Sequence, residues 1–181
     1  HAAGQRYPVL YMHDGNNLFD PAQAFMGQEW KIDESMEALI GQKQIPPMIV
    51  VGVSNTPDRM DEYTWVAGDL DGKRAGGKGA AYGQFLAEEL KPMIDKAYRT
   101  KPGRTDTGVM GSSLGGLESL YLGRHEGATF GKIGVMSPSV WWDGEAIVSI
   151  ARGMRAPAGQ KVWLDMGTQE GRGALAATQR Q

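Results

Sequence analysis

Short apolar runs that end in turn-forming residues recur along the chain. The run 7–12 stops at a cluster of turn formers, and the run 48–53 is continuous and rich in β-branched residues. Continuous runs of this length are typical of strands that are covered on both faces. Further runs of the same kind lie at 107–110, 132–136 and 161–166. The pattern predicts five strands.

Between these runs, apolar residues return at helical spacing. Positions 32, 36, 39 and 40 do so before Gly41, and positions 82, 86, 90, 93, 94 and 97 do so in a second helix, where Pro92 predicts a kink. Two further helices are predicted after 114 and over about 145–154. Five strands that alternate with four helices predict an α/β fold, with parallel strands of an open, doubly wound sheet joined by right-handed crossovers.

Residues 54–80 interrupt this alternation. The segment is polar and rich in glycine and shows no sustained period, which predicts a long loop. The chain contains no internal repeat and no composition break that would act as a linker. We therefore expect residues 1–181 to belong to a single domain.

Composition and charge exclude several classes of function. The 181 residues are 41% apolar, and 19 basic against 21 acidic side chains give a net charge of -2. This balance offers no electrostatic footprint for nucleic acid or an anionic membrane, so neither is expected as a partner. Because the chain has no cysteine, thiolate metal sites, disulfides and cysteine nucleophiles are excluded. We expect no cofactor and no metal site.

One strand end carries a recognisable chemical pattern. Sites in such sheets form where the strands end, and Gly111 to Gly115 reads G-x-S-x-G between an apolar strand and an amphipathic helix. This is the context of a nucleophile elbow, in which glycines let the helix pass close to the strand and the serine hydroxyl stays exposed. The pattern predicts that Ser113 is a nucleophile. The alternative is an ordinary Gly-Ser turn.

An elbow of this kind needs donors for the oxyanion of the reaction. The backbone N–H of Leu114 is one candidate, because it lies at a helix N-terminus. The second is expected from the loop after the first strand, where Gly15 and Asn16 lie. The alternative for that loop is a plain turn at a strand end.

Several segments together resemble a known family. They are YPVLYMHDGNNLFD at 7–20, FL and ELKPMID at 85–95, GSSLGG at 111–116, MSPSVWW at 136–142 and DMGTQE at 165–170. In this order they resemble the esterase D/enterochelin-esterase-like group of α/β-hydrolases over nearly the whole chain. The resemblance implies an α/β-hydrolase sheet with helices on both faces, and a serine esterase acting on a small-molecule or carbohydrate-linked ester.

The resemblance also implies roles for individual residues. Ser113 matches the nucleophile, and Asp165 and Glu170 compete for the acid, with Glu170 favoured because it follows a Gly-Thr pair. Asp165 could instead organise the turn, and Glu170 could be a solvated loop charge. Trp141 and Trp142 are expected to wall the substrate pocket, although core packing is an alternative.

The histidine base that the resemblance implies is missing from its expected place. In this fold it follows the acid, and the 11 residues after Glu170 contain no histidine. His1 is terminal, and His125 lies 12 residues beyond Ser113 along a helix, about 18 Å away. His13 resembles the histidine that holds the oxyanion loop beside the substrate pocket, and the alternative for His13 is to serve as the base. We expect the chain to be an internal fragment of a longer esterase, truncated at both ends.

Three other interpretations compete with a serine esterase. Residues 72–79 nearly spell a phosphate-binding loop, but position 79 is glycine and no buried strand precedes the segment. Asp69 and Asp71 suggest calcium weakly, because Lys73 takes the place of a further ligand. A hydrolase scaffold that lacks its base could also serve as a non-catalytic binding domain.

Overall fold

The fold alternates strands and helices along the chain. The computed structural model describes residues 4–153 and 155–168. Its elements are β1 (Val9–His13), α1 (Ile32–Gly41), β2 (Ile49–Val53), α2 (Arg59–Glu62), β3 (Ala67–Leu70), β4 (Lys73–Gly76), α3 (Gly79–Gln84), a π-helical turn (Phe85–Leu90), α4 (Lys91–Ala97), β5 (Thr107–Ser112), α5 (Leu114–His125), β6 (Lys132–Met136), α6 (Ala146–Gly153) and β7 (Lys161–Asp165). Short 3-10 turns lie at Gly15–Asn17, Phe25–Gly27 and Arg104–Asp106.

Five of the strands form one parallel sheet in the order β2-β1-β5-β6-β7. These are the five strands that the apolar runs predict, and the α/β class with a parallel sheet is confirmed. The order places β5 at the centre, with β1 and β6 as its neighbours. The carboxyl ends of β1, β5 and β6 therefore lie side by side, and residues from distant parts of the chain meet there.

The two faces of the sheet are covered differently. Alternate side chains point to opposite faces, and one face carries the buried residues Val9, Tyr11, Val109, Ile133 and Val135. Helix α5 packs on this face, where Leu117 and Leu122 are fully buried. The main core therefore lies between α5 and the sheet, and the elbow that starts α5 is part of it.

Helix α1 lies over the opposite face. Between them is an apolar groove of about 560 Å³, lined from the sheet side by Leu10, Met12, Met110 and Met136 and from the helix side by Met36 and Leu39. Helices thus cover both faces of the sheet, as the resemblance implies. No helix in the described ranges is long and apolar enough to cross a membrane.

The prediction of one long loop over residues 54–80 is wrong. The segment contains α2, an antiparallel hairpin of β3 and β4, and the start of α3. The hairpin turns at Asp71-Gly72, both with positive φ, which is the typical geometry and sequence of a two-residue hairpin turn. Strands of four residues are too short to show a period, and β4 takes up half of the segment that resembles a phosphate-binding loop.

The long helix predicted after residue 82 is interrupted near the expected place. Residues Phe85–Leu90 form a π-helical turn, and α4 follows with Pro92 in its first turn. Pro92 has no N–H to donate to the carbonyl four residues earlier, and its ring crowds that carbonyl. The widened turn before it accommodates both effects.

Candidate active site

The elbow between β5 and α5 has the backbone conformation that its sequence predicts. Ser113 has φ 59° and ψ −121°, which L residues rarely adopt. Its N–H donates to the carbonyl of Met136 (3.1 Å), and its own carbonyl accepts from Leu117 (3.0 Å). Neighbouring β6 and the first turn of α5 thus hold a strained serine in place.

The glycines of the elbow are required by close packing. A Cβ on Gly111 would lie 2.7 Å from the His13 ring carbon Cδ2 and 2.7 Å from the carbonyl carbon of Gly115. A Cβ on Gly116 would lie 2.7 Å from the carbonyl oxygen of Met136. Real Cβ atoms do not approach that closely, so a side chain at either position would force the helix away from the sheet.

The Ser113 hydroxyl has one polar neighbour that the sequence did not point to. Its Oγ lies 3.0 Å from the Oγ of Ser139, and the Ser139 N–H donates to the Ser113 carbonyl (3.0 Å). Ser139 is nearly buried and follows the end of β6. The Ser137-Pro138-Ser139 turn at this strand end was the available signal, because β6 lies beside β5 in the sheet.

Two backbone segments converge near Ser113 from different strands. Leu114 is the first residue of α5, so its N–H has no partner four residues earlier. Residues 14–17, which we call the β1 loop, follow the end of β1. Asn16 of this loop lines a cavity of about 690 Å³ together with Ser113. The structure therefore brings the predicted loop and the elbow to one cavity.

The cavity wall mixes amide and aromatic side chains. Its lining residues are Asp14, Asn16, Asn17, Gln23, Phe25, Trp30, Asn55, Arg59, Ser112 and Ser113. The Phe25 ring is three-quarters exposed, and its backbone N–H donates to the Asn17 side chain (2.8 Å). Phe25 and Trp30 were not singled out from the sequence, because both precede α1 in an irregular stretch without a strand end.

An ion pair between a buried carboxylate and a partly exposed guanidinium anchors the β1 loop. The Asp14 carboxylate accepts two hydrogen bonds from Arg59, at 2.6 and 2.8 Å, and one from the Asn55 side chain at 2.5 Å. Asp14 is itself in the left-handed conformation, with φ 55°. Arg59 lies in α2, inside the segment predicted to be a loop, so the sequence did not indicate its role.

His13 is placed beneath the elbow and not in the cavity, which corrects its prediction as a pocket residue. Its ring is buried, Nδ1 lies 2.8 Å from the Tyr82 hydroxyl, and the rings of Tyr63 and Tyr82 pack around it. Burial lowers the pKa of His13 to about 4, although Asp14 acts in the opposite direction. The ring is therefore neutral near pH 7, and its Nε2 has no hydrogen-bond partner among the described residues, so neither ring nitrogen is bonded to the Ser113 hydroxyl.

The two tryptophans expected at the pocket do not line the cavity that contains Ser113. Trp142 is buried in the core, and its indole N–H donates to the carbonyl of Val66 (2.9 Å). Trp141 is about half exposed and packs edge-on against Trp142. Trp142 therefore follows the alternative interpretation, core packing. Its ring lies so close to Gly68 and Gly76 of the β3–β4 hairpin that a Cβ at either position would contact it.

Of the two candidate acids, the structure describes Asp165. Asp165 ends β7 beside Met136, and one of its carboxylate oxygens accepts from the indole N–H of Trp163 (3.1 Å). It lines the groove under α1 together with Ser112. Glu170 lies outside the described residues. Across the described part of the chain, no three side chains group as metal ligands.

Comparison with known proteins identifies similar chains. The family model "Esterase: Putative esterase" matches residues 1–180. The chain is 29% identical over 169 residues to the uncharacterized protein YbbA of Bacillus subtilis, covering 92% of this chain and 63% of that protein. It is 31% identical over 139 residues to the iron(III) salmochelin esterase of Escherichia coli O6:H1, covering 76% of this chain and 29% of that protein.

A solved structure shares the fold. The crystal structure of BES protein from Bacillus cereus matches with a TM-score of 0.78 at 23% identity, covering 99% of this chain and 69% of that one. At this identity the likeness concerns the fold alone. The chain spans 63% and 29% of the lengths of the two curated relatives above.

Proposed function

The chain belongs to the Esterase family, and from this premise we propose that it is part of a serine hydrolase that cleaves carboxylic esters, with Ser113 as the nucleophile. The observation that carries the proposal is the strained backbone of Ser113, at φ 59° and ψ −121°. This strain occurs between a central parallel strand and a helix N-terminus, beside a cavity. Backbone strain of this kind is a feature of functional sites, and this position is that of a nucleophile elbow.

In the proposed reaction, the Ser113 oxygen attacks the carbonyl carbon of the ester. The carbonyl oxygen becomes an oxyanion, which would accept hydrogen bonds from the N–H of Leu114 and from the N–H of Gly15 or Asn16. The positive end of the α5 dipole favours the same charge. Collapse of the intermediate expels the alcohol and leaves an acyl group on Ser113, and water then releases the acid.

The serine proton needs a general base, and the proposal assigns that role to no described residue. His13 turns Nδ1 to Tyr82, and His125 lies at the far end of α5, stacked on Tyr121. The acid of the triad is proposed at Glu170 or Asp165. Asp165 ends β7, at the same end of the parallel sheet as Ser113.

The substrate is proposed as a small-molecule or carbohydrate-linked ester. One relative is named an iron(III) salmochelin esterase, and this name describes the cleavage of an ester of a small molecule. The cavity beside Ser113, at about 690 Å³, falls within the range of small-molecule sites. Its amide side chains can bind hydroxyl or carbonyl groups, while Phe25 and Trp30 can pack against an apolar or ring-shaped group.

Activated-ester hydrolysis and fluorophosphonate labelling test the proposal. We expect both to require Ser113, so that Ser113→Ala removes labelling and lowers hydrolysis by at least about a hundredfold. The control is Ser149→Ala, an exposed serine on α6. Labelling that persists unchanged in Ser113→Ala would exclude Ser113 as the nucleophile.

A second candidate function is favoured by one observation. The only hydroxyl partner of Ser113 in the described residues is Ser139, and neither described histidine reaches it. This arrangement fits a non-catalytic binding domain on a hydrolase scaffold. Equal ester hydrolysis by the unmodified chain and by Ser113→Ala would support this candidate over the esterase.

A further inference from the structure

Three aromatic side chains fill the space between the β1 loop and the elbow. They are His13, Tyr63 and Tyr82, whose ring centroids lie between 5.1 and 5.5 Å apart. His13 and Tyr63 are buried, and Tyr82 is partly buried. They come from β1, the residue after α2, and α3, so this cluster forms only when the fold brings these elements together.

Two hydrogen bonds and one ring contact connect the cluster into a continuous chain. The backbone N–H of Asp14 donates to the Tyr63 hydroxyl (3.0 Å). The Tyr63 ring packs on the Tyr82 ring, with centroids 5.1 Å apart. The Tyr82 hydroxyl in turn lies 2.8 Å from Nδ1 of His13. The chain therefore begins at the backbone of the β1 loop and ends at the ring below the elbow.

The bond between Tyr82 and His13 forms with either neutral tautomer of the ring, because the Tyr82 hydroxyl can donate to Nδ1 or accept from an Nδ1–H. In both cases the bond fixes the orientation of the His13 ring.

Both ends of the chain touch the proposed oxyanion site. Asp14 directly precedes Gly15 and Asn16, whose N–H groups are the proposed donors from the β1 loop. At the other end, the His13 ring packs against the elbow, where Cβ atoms on Gly111 and Gly115 would lie 2.7 and 3.6 Å from its Cδ2. The chain thus spans from one side of the proposed oxyanion site to the other.

We propose that Tyr82 is a positioning residue, which, with Tyr63, ties the backbone of the β1 loop to His13 beneath the elbow and so sets the spacing of the two oxyanion donors. This inference rests on the proposed function for the meaning of that spacing. Tyr82 does not touch the substrate and acts through His13. Burial raises the pKa of Tyr82 well above its usual range and that of Tyr63 to about 12, so both hydroxyls keep their protons.

Nuclear magnetic resonance tests the chain of bonds without any turnover. In the unmodified protein labelled with ¹⁵N-histidine, we expect the His13 ring to be neutral and its Nδ1 to show the shift of a hydrogen-bonded nitrogen. The His13 signals are assigned by their loss in His13→Gln. A wild-type Nδ1 without a hydrogen bond would overturn the proposal, whatever the variants do.

Amide exchange tests the link to the β1 loop. In Tyr63→Phe the Asp14 N–H loses its acceptor, and we expect its exchange to speed up by about tenfold or more. In Tyr82→Phe we expect the same amide to exchange several-fold faster and the Nδ1 signal of His13 to lose its hydrogen-bonded shift. The matched control is Tyr121→Phe, a buried tyrosine outside the chain, which should leave both readouts unchanged. Equal changes in Tyr82→Phe and Tyr121→Phe would refute the proposal.

Kinetics test the consequence for the reaction. With an activated ester, Tyr82→Phe should lower kcat about tenfold and leave KM nearly unchanged, because it misplaces donors needed in the transition state. Tyr121→Phe should keep both constants. An unchanged kcat in Tyr82→Phe would overturn the positioning role. If hydrolysis does not depend on Ser113, the proposed function fails, and the two magnetic resonance readouts still decide whether the chain of bonds holds the loop.

Discussion

Glu118 is a carboxyl group in an environment that disfavours its charge. It lies in α5, is fully buried, and neither of its oxygens has a hydrogen-bond partner in the described residues. A Cβ on Gly79 would lie 2.6 Å from the Oε2 of Glu118, so only a glycine at position 79 leaves room for the carboxyl group. Burial raises the pKa of Glu118 well above its usual range. The group therefore keeps a proton in the folded state that the unfolded chain releases.

The free energy of unfolding should depend on pH through Glu118. The folded protein binds one proton more than the unfolded chain at pH values above the usual carboxyl pKa of 4.5. The contribution of Glu118 is therefore most favourable below that pH and is lost as the pH rises towards its folded pKa, by at most about 1.4 kcal/mol per pH unit. In Glu118→Gln this loss is absent. In urea unfolding at pH 5 to 8, the free energy of unfolding of Glu118→Gln should rise relative to that of the unmodified protein as the pH rises.

The comparison with Glu118→Gln is needed because His13 acts with the opposite sign. Its pKa falls from 6.5 to about 4 on folding, so its contribution to stability is present above pH 6.5 and is lost as the pH falls towards 4. His13 contributes equally in both proteins and cancels in their difference. The control is Glu89→Gln, an exposed carboxyl group in the π-helical turn Phe85–Leu90. A stability difference between Glu118→Gln and the unmodified protein that is constant over this pH range would contradict the prediction.

At the scale of elements, the short helix α2 holds the β1 loop in place, although the two are far apart in sequence. Helix α2 has four residues and is too short to be stable alone. Its Arg59 guanidinium holds the Asp14 carboxylate bidentately and also lies over the Tyr63 ring, 5.1 Å from its centroid. The ion pair therefore links α2 to the β1 loop, so the stability of the helix and the stability of the loop depend on each other.

Arg59→Gln should destabilise the protein by about 2 to 3 kcal/mol. The substitution leaves the buried Asp14 carboxylate with only the Asn55 side chain as a partner, and an unpaired buried charge is costly. The measurement is the free energy of unfolding in urea. Arg74→Gln, at an exposed position on β4, is the matched control and should change stability by less than about 0.5 kcal/mol. A loss in Arg59→Gln no larger than in the control would show that the ion pair does not anchor the loop.

At the scale of the whole molecule, the sheet has a different character at its centre and at one edge. Strand β5 is mostly buried between β1 and β6, whereas every residue of β7 is exposed in the described chain. Val162, Trp163 and Leu164 expose between two-fifths and two-thirds of their surfaces. An exposed apolar strand at a sheet edge offers unpaired backbone groups to another chain.

This edge should make the chain prone to self-association. We expect Trp163→Lys to reduce association, because a charge on an edge strand opposes pairing with a second copy. Light scattering at increasing protein concentration measures the effect, and urea unfolding checks that stability is kept. Lys161→Arg on the same strand retains the charge and is the control. If Trp163→Lys associates as strongly as the control, the β7 edge is not the surface responsible.

The extent to which the sequence predicts this protein differs between fold and site. The five sheet strands were predicted because each is a continuous apolar run, whose signal is local. The β3–β4 hairpin was missed because its strands have only four residues each, too few to show an alternation of apolar and polar positions. Its Asp71-Gly72 turn is nevertheless typical of hairpins. In the site, Ser113 and Asn16 were predicted from strand ends, and the structure brings both to one cavity. Their roles in the reaction stay predictions.

Other site residues could not be predicted because their surroundings depend on distant parts of the chain. Ser139 lies 26 positions from Ser113, Arg59 lies 45 from Asp14, and Tyr82 lies 69 from His13. No periodicity or turn signal connects residues over such separations. For the same reason, His13 and Trp142 have the residue types expected of a pocket but are buried in the fold.

The sequence by itself determined the features that depend on neighbouring residues. These are the strand and helix alternation, the glycines that permit the turn at Ser113, and the helix N-terminus that follows it, because backbone sterics and hydrophobic periodicity act locally. Only the tertiary structure decided which side chains meet at the carboxyl ends of the strands. Strand order places β1, β5 and β6 side by side, and close packing then determines whether a histidine or tryptophan faces the cavity or the core.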